Sequence, residues 1–325
     1  MIRMHCSLGV LSAVFLLLAG SGIRAHGQAL STVGGTAGAP FRLGFGPRGT
    51  AMGNALAAVI DGDLVGYYNP AVLPFQRTAW GMAAYSFLSL DRHLNALSYV
   101  QPLRPNAGLG LSLINAGVSE IEERDRDGRL TGTTSTSENA FAFSFGLRPA
   151  EEFAFGVTAK IFHYSLYDQA TSTTVGFDAG ILVRVSERWT LAGALLDLNS
   201  RYRWETTSLY GQNGSSTTDR FPLRKQVGIA WHDEQIGLTA AGTFERVAGA
   251  SFVKAGAEYM YRGRFGIRAG IDQVSTDKAV TARPALGASF LATIGSWPVG
   301  FQYSYQFEPY SPRGAHFLSL SVLIE

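Results

Sequence analysis

Few residues in this sequence have the type and spacing that chemistry demands. Gly44-x-Gly46-x-x-Gly49 has the spacing of a dinucleotide-binding loop, in which glycines let the backbone approach a pyrophosphate at a helix N-terminus. That chemistry also needs a buried strand before the loop and a βαβ unit around it. Thr32 to Pro40 is glycine-rich instead, and the chain beyond reads as strand after strand, so no cofactor is expected. His93, His163, His232 and His316 each stand alone, without metal-ligand spacing. Glu123-Arg-Asp-Arg-Asp-Gly128 places acids at alternate positions before a glycine, as half of a calcium loop does. Thr134 stands where the acid at the twelfth position belongs, so a solvated hairpin tip is expected there. No nucleophile is arranged with a base, and the reading is of a protein that is not an enzyme and holds no metal.

The elements around these residues carry more information. Arg3, the apolar run Leu8 to Ala19, and possible cleavage points after Gly27 or Ala29 have the layout of a secretory signal peptide, residues 1–29. That run is too short to span a bilayer, and no other stretch is apolar for long enough to form a membrane helix. Cys6, the only cysteine, lies within the expected signal, which leaves the exported chain without disulfide or thiolate chemistry. The sequence has 27 Lys+Arg against 25 Asp+Glu. Arg3 and Arg24 leave with the signal, giving 27 − 2 = 25 against 25, and nothing in that balance suits nucleic acid.

From Thr78 onward the chain shows runs with period-two alternation, separated alternately by short and by longer polar connections. About 14 strands can be counted, an even number as bacterial outer-membrane barrels require. Phe141, Phe143, Phe145 and Leu147 share one face against Ala142, Ser144, Gly146 and Arg148, and Val175, Phe177, Ala179 and Ile181 oppose Gly176, Asp178 and Gly180. One face suits lipid and the other a polar lumen. Arg92–Pro102 and Trp189–Tyr202 alternate too poorly for their faces to be assigned, and the connections Ser119–Ser137 and Arg203–Pro222 read as long outward loops. Trp80, Trp189, Trp231 and Trp297 lie next to the short connections and read as an aromatic girdle. The fold class is thus all-β: a transmembrane antiparallel barrel, residues 78–325, lying in the outer membrane of a Gram-negative-type bacterium and in contact with its lipid.

Residues 30–77 do not fit the hairpin series. The Ala, Leu and Met content of Ala51 to Val59 favours helix, and Asn69-Pro70 forms a turn that stops it. The expectation is a small, partly helical plug inside the barrel, close-packed through its small residues, with the amino terminus on the side of the short turns. A register argument locates charges in the lumen. If Arg262-Gly-Arg264 is a three-residue turn pairing Tyr261 with Phe265, then Glu258 faces Arg268 and Lys254 faces Asp272, all four on the lumen side.

Gly35 to Phe41, then Gly44, Gly46, Gly49, Met52 and Gly53, and finally Asn69, Pro70 and Ala71 together resemble the amino-terminal hatch of the PorV/PorQ family, within the FadL-type outer-membrane superfamily. Arg42 and Leu43 stand where that family often has an apolar pair. The resemblance implies an interaction component of type IX protein secretion, with secreted cargo and secretion-system components as partners. Its alternative implication is a FadL-like channel for uptake of hydrophobic small molecules.

Overall fold

A computed structural model describes residues 35–324, apart from 61, 63–64, 168–169, 276–279, 310 and 312. The expected signal peptide, residues 30–34 of the expected plug, and Glu325 lie outside the described residues.

The strands are β1 (Ala79–Phe87), β2 (Arg92–Leu103), β3 (Ala107–Arg124), β4 (Leu130–Ala150), β5 (Phe153–Tyr167), β6 (Ala170–Arg184), β7 (Trp189–Leu198), β8 (Arg201–Glu205), β9 (Ser216–Arg220), β10 (Arg224–Asp233), β11 (Leu238–Val247), β12 (Ala250–Tyr261), β13 (Phe265–Ser275), β14 (Arg283–Ile294), β15 (Trp297–Gln306) and β16 (Ala315–Ile324). All but β8 and β9 join one closed antiparallel barrel of fourteen strands, in which β7 pairs directly with β10. Closure comes from β1 against β16, in register from Ala79 opposite Ile324 to Phe87 opposite His316. No strand edge is left to hydrogen-bond elsewhere, as a sheet in hydrocarbon requires.

The period-two pattern explains which way each strand faces. Phe141, Phe143, Val175, Phe177, Phe301 and Leu320 all point outward and are exposed. An apolar belt of this kind on a closed sheet is stable only against lipid. Alternating residues such as Ser144, Asp178 and Ser304 are buried inward. Trp189 and Trp231 are cross-strand partners on the outer face, and Trp297 is exposed there as well. Trp80 departs from the expected girdle: it is buried on the lumen side, and its indole N–H donates to Gln76 Oε1 at 3.2 Å.

Two connections differ from expectation. Ser119–Ser137 is mostly strand, because β3 and β4 continue past the belt as one long hairpin. At its tip Asp125 Oδ1 accepts the N–H groups of Asp127 and Arg129, both at 2.9 Å, so this carboxylate caps its own turn. The expected strand Trp189–Tyr202 ends at Leu198, and residues 201–220 fold into the separate hairpin β8–β9. Asp197, with φ 64°, sits at a bulge between β6 and β7, and that bulge broke the alternation in the sequence.

The segment before β1 runs inside the barrel. Helix α1 spans Gly46–Ala51 and helix α2 spans Val65–Tyr68, with 3-10 turns at Pro40–Arg42 and Pro70–Phe75. Helix was expected at Ala51 to Val59, but Gly53 and Asn54 take φ of 60° and 57° and stop it at the start of that stretch. Packing against the wall overrides local propensity here. The first described residues of the plug lie on the side opposite to the one expected. Gly38 packs on Phe221 and Phe41 on Phe162, in the half of the lumen towards the long loops, and the chain leaves towards the short turns at Gln76.

Candidate functional site

The lumen is occupied by the segment 35–76, and three kinds of contact hold it there. The first is a pair of glycine beds in the wall. Gly108, Gly146, Gly156 and Gly180 lie directly opposite one another on β3, β4, β5 and β6. The turn Asn69–Phe75 rests on them so closely that a Cβ on Gly156 would lie 2.4 Å from the Pro70 carbonyl carbon, and one on Gly108 would lie 2.3 Å from Leu73 O. Only a residue without a side chain allows this approach. On the opposite wall, Gly256 and Gly270 are partners on β12 and β13, and their Cβ positions would fall 2.3 Å from Met52 O and 2.4 Å from Gly53 N.

Polar pins form the second kind. Asn69 is fully buried; its Oδ1 accepts the Ala71 N–H at 2.9 Å, and its Nδ2 donates to Ala57 O at 2.9 Å and to Ile181 O of the wall at 3.2 Å. Thr50 Oγ1 meets Ser304 Oγ at 2.6 Å, and Thr190 Oγ1 donates to Ala58 O at 2.7 Å. Tyr68 packs against α1, with its hydroxyl 2.9 Å from Asn54 Oδ1 and receiving the Phe45 N–H at 3.1 Å. Burial pushes the Tyr68 phenol well above its ordinary pKa, so it remains a neutral donor.

The third is a ribbon of lumen charges. Lys160 Nζ lies 2.8 Å from Asp178 and 2.9 Å from Asp197; Arg224 lies 3.9 Å from Asp197 and 3.0 Å from Glu245; Lys254 lies 3.4 Å from Glu245 and 3.6 Å from Asp272. Asn54 of the plug donates to the other Asp272 oxygen at 2.9 Å. Beside this, Arg48 of α1 grips Glu258 with two bonds, Nε at 3.0 Å and Nη2 at 2.8 Å, while Arg268 Nε donates to the same carboxylate. Five cations thus meet five anions, all buried or nearly so, from β5 round to β13, with Asp178 and Asp197 on adjacent strands sharing Lys160. Each buried charge thereby has a partner of opposite sign.

Of the residues singled out from the sequence, Glu258 is directly opposite Arg268, and Tyr261 is opposite Phe265. Lys254 and Asp272 meet across a bulge at Gln273, φ 58°, instead of in simple register. Met52, Gly53, Asn69, Pro70 and Ala71 lie at the two glycine beds. Gly49 lies under the Tyr68 hydroxyl, and a Cβ on Gly44 would strike the Asn54 amide; with Gly46, φ 71°, they shape the turn into α1. Sequence reasoning missed Arg48, Asn54, Lys160, Asp197, Arg224 and Glu245. Lys160, Arg224 and Glu245 had the signal of an inward position in their strands, whereas Arg48 and Asn54 lie in the plug and Asp197 at a bulge, where alternation gives none.

Above the charges is an aromatic layer. Ring centroids run 5.6 Å from Phe41 to Phe162, 4.8 Å on to Phe221, 4.9 Å to Tyr202 and 5.1 Å to Tyr164. The hairpin β8–β9 brings Tyr202 and Trp204 over this layer, and Tyr202 donates to Glu138 Oε2 at 3.0 Å.

The fold has counterparts among solved structures. The chain superposes on the CymD monoaromatic hydrocarbon channel with a TM-score of 0.60 at 14% identity, over 86% of this chain and 97% of that one. The Pseudomonas putida toluene transporter TodX gives 0.58 at 10%, over 86% and 96%, and a Pseudomonas aeruginosa FadL homologue gives 0.56 at 13%, over 86% and 99%. The fold is shared with these three proteins. At these identities the likeness concerns fold alone. No family model and no curated protein matches the sequence. The narrower resemblance of residues 35–71 to the PorV/PorQ hatch gains no support from these comparisons.

Proposed function

We propose that this protein is an outer-membrane channel for entry of hydrophobic small molecules, with residues 35–76 as its plug. This reverses the weight given by the resemblance in the plug: no observation favours a role in type IX secretion, with its cargo and partner components, whereas the fold is shared with hydrocarbon channels over nearly their full length. The observation that carries the reading is a plugged barrel whose lumen is aromatic towards the long loops, at Phe41, Phe162, Phe221 and Tyr202, and charged behind the plug. An apolar molecule gains from the first layer by burial and ring contact. The charged layer pairs mostly within the wall, and Arg48 of the plug joins it at Glu258; the seated plug fills the lumen between the two layers, so entry requires the plug to shift.

The test is uptake of labelled toluene and labelled oleate by cells that lack their own hydrophobic channels and express this chain. A Thr50→Cys/Ser304→Cys pair, placed where the two hydroxyls already touch, would fix the plug to β15. Uptake is expected to exceed that of empty cells, to stop in the oxidised pair and to return on reduction. Uptake no faster than in empty cells for both compounds would refute the channel reading.

A further inference from the structure

At the end of the barrel where the short turns lie, a cavity of about 1130 Å³ opens around the chain as it leaves the plug at Gln76–Thr78. Five arginines line it: Arg77 before β1, Arg104 between β2 and β3, Arg148 at the end of β4, Arg184 at the end of β6, and Arg188 just beyond. Glu187, Asp233 and Glu234 line its other side, at the turns β6–β7 and β10–β11, and Arg188 is paired there with Asp233 at 3.1 Å. Among the described residues the other four form no ion pair. Arg148 lies 5.1 Å over the Phe75 ring, a contact that holds the stem and leaves its outer edge towards the cavity. Four guanidinium groups without an ion pair, along one arc from β1 to β6, make that side of the rim positive.

We propose that this vestibule is a docking site for an extended acidic segment of a protein on the short-turn side of the membrane. Size argues against a small anion, because the cavity exceeds the range of about 300–1,000 Å³ typical of small-molecule pockets. Spacing argues the same way: the arginines come from four separate parts of the rim, before β1, between β2 and β3, and at the ends of β4 and β6, an arrangement that suits a chain with several carboxylates. Position argues against a lipid leaflet. Arg148, Arg184 and Trp80 belong to the inward faces of their strands, so the cavity opens along the barrel axis, away from the lipid belt. Arginine forks suit carboxylates in two-point contact, and clusters of them are a recurrent mode of acidic-motif recognition. The inference is independent of what the channel carries.

The test uses the full chain in detergent micelles and a fluorescent hexaglutamate peptide, read by anisotropy. Binding is expected at low salt, falling as salt screens the rim, and about tenfold weaker in Arg104→Gln/Arg148→Gln/Arg184→Gln. Arg124→Gln/Arg126→Gln/Arg129→Gln, at the hairpin tip on the opposite end, is expected to bind like the parent. Equal binding by the vestibule variant overturns the proposal. So does binding of inorganic phosphate or phosphatidylglycerol micelles in place of the peptide. Unchanged heat-modified gel mobility of the vestibule variant shows that its barrel is folded, so a loss reports the site.

Discussion

Replacing Glu258 with Gln removes the charge that joins wall to plug. The Glu258 carboxylate accepts two bonds from Arg48 and one from Arg268, and the three side chains are about 5% exposed. Removing one partner of a buried pair typically costs about 3–5 kcal/mol, because a charge is left uncompensated. Here two guanidinium groups would be left facing each other, but a glutamine retains one acceptor and Arg48 has further contacts, which places the cost near the low end, about 3 kcal/mol. If the loss falls on plug seating, the ratio of seated to released plug drops on the order of 100-fold. A cysteine at Ala55, fully buried beneath the plug surface, reports this ratio through its rate of maleimide labelling in a Cys6→Ser background. The double variant Glu258→Gln/Arg268→Gln should label more slowly than Glu258→Gln, since it relieves the repulsion between Arg48 and Arg268. Labelling of Glu258→Gln within threefold of the parent, roughly 0.6 kcal/mol, would refute the idea that this pair seats the plug.

Other contacts give further expectations. Gly156→Ala would push a methyl to 2.4 Å from Pro70 backbone, costing about 1–3 kcal/mol in urea unfolding, whereas Gly81→Ala, with its nearest atom at 3.8 Å, should be neutral. Asn69→Ala strands the Ala71 N–H and the Ala57 carbonyl in the interior and should cost about 2–4 kcal/mol by the same measurement. Asp197→Asn leaves Lys160 with Asp178 alone and weakens the charge next to Arg224; a loss of about 1–3 kcal/mol is expected, and the change should be smaller in a Lys160→Met background.

The barrel was legible because its signals are local. Period-two alternation marks a strand whether or not its partners are known, and the short turn Arg262-Gly-Arg264 fixed the register that brings Glu258 to Arg268. Lys254 and Asp272 were placed on the right face, although Gln273 adds a residue between them that the pattern did not reveal. What escaped was whatever depends on the closed barrel. Arg48 sits in a glycine-rich stretch, and its partner is 210 residues away. Asp197 reaches the lumen only through a left-handed backbone at a bulge, which in the sequence reads as faulty alternation. The hairpin β8–β9 was hidden in a polar stretch whose strands are fully exposed at β9 and pair only with each other. Helix propensity at Ala51 to Val59 misled for a related reason: residues 55–59 are buried against the wall, and the carbonyls of Ala57 and Ala58 are taken by Asn69 and Thr190 instead of by helical N–H groups.

The contacts that seat the plug divide the work unequally. The glycine beds bring backbone within contact of backbone, but they have no side chains to interlock, so they define the shape of the seat and not the position of the plug along it. Position must therefore come from the few directional contacts: Arg48 to Glu258, Asn54 to Asp272, Thr50 to Ser304, Asn69 to Ile181 and Thr190 to Ala58. Three of these five join the plug to β12, β13 and β15, and Asn69 and Thr190 pin the opposite wall, at β6 and β7. A plug that moves would then release its α1 end as a unit when the Glu258 and Asp272 contacts break, while the turn Pro70–Phe75 stays on its bed as the hinge. Labelling at Ala55 should respond to Glu258→Gln, and labelling of a cysteine at Val72, equally buried on that bed, should not. Equal acceleration at both positions would show instead that the plug leaves as one body.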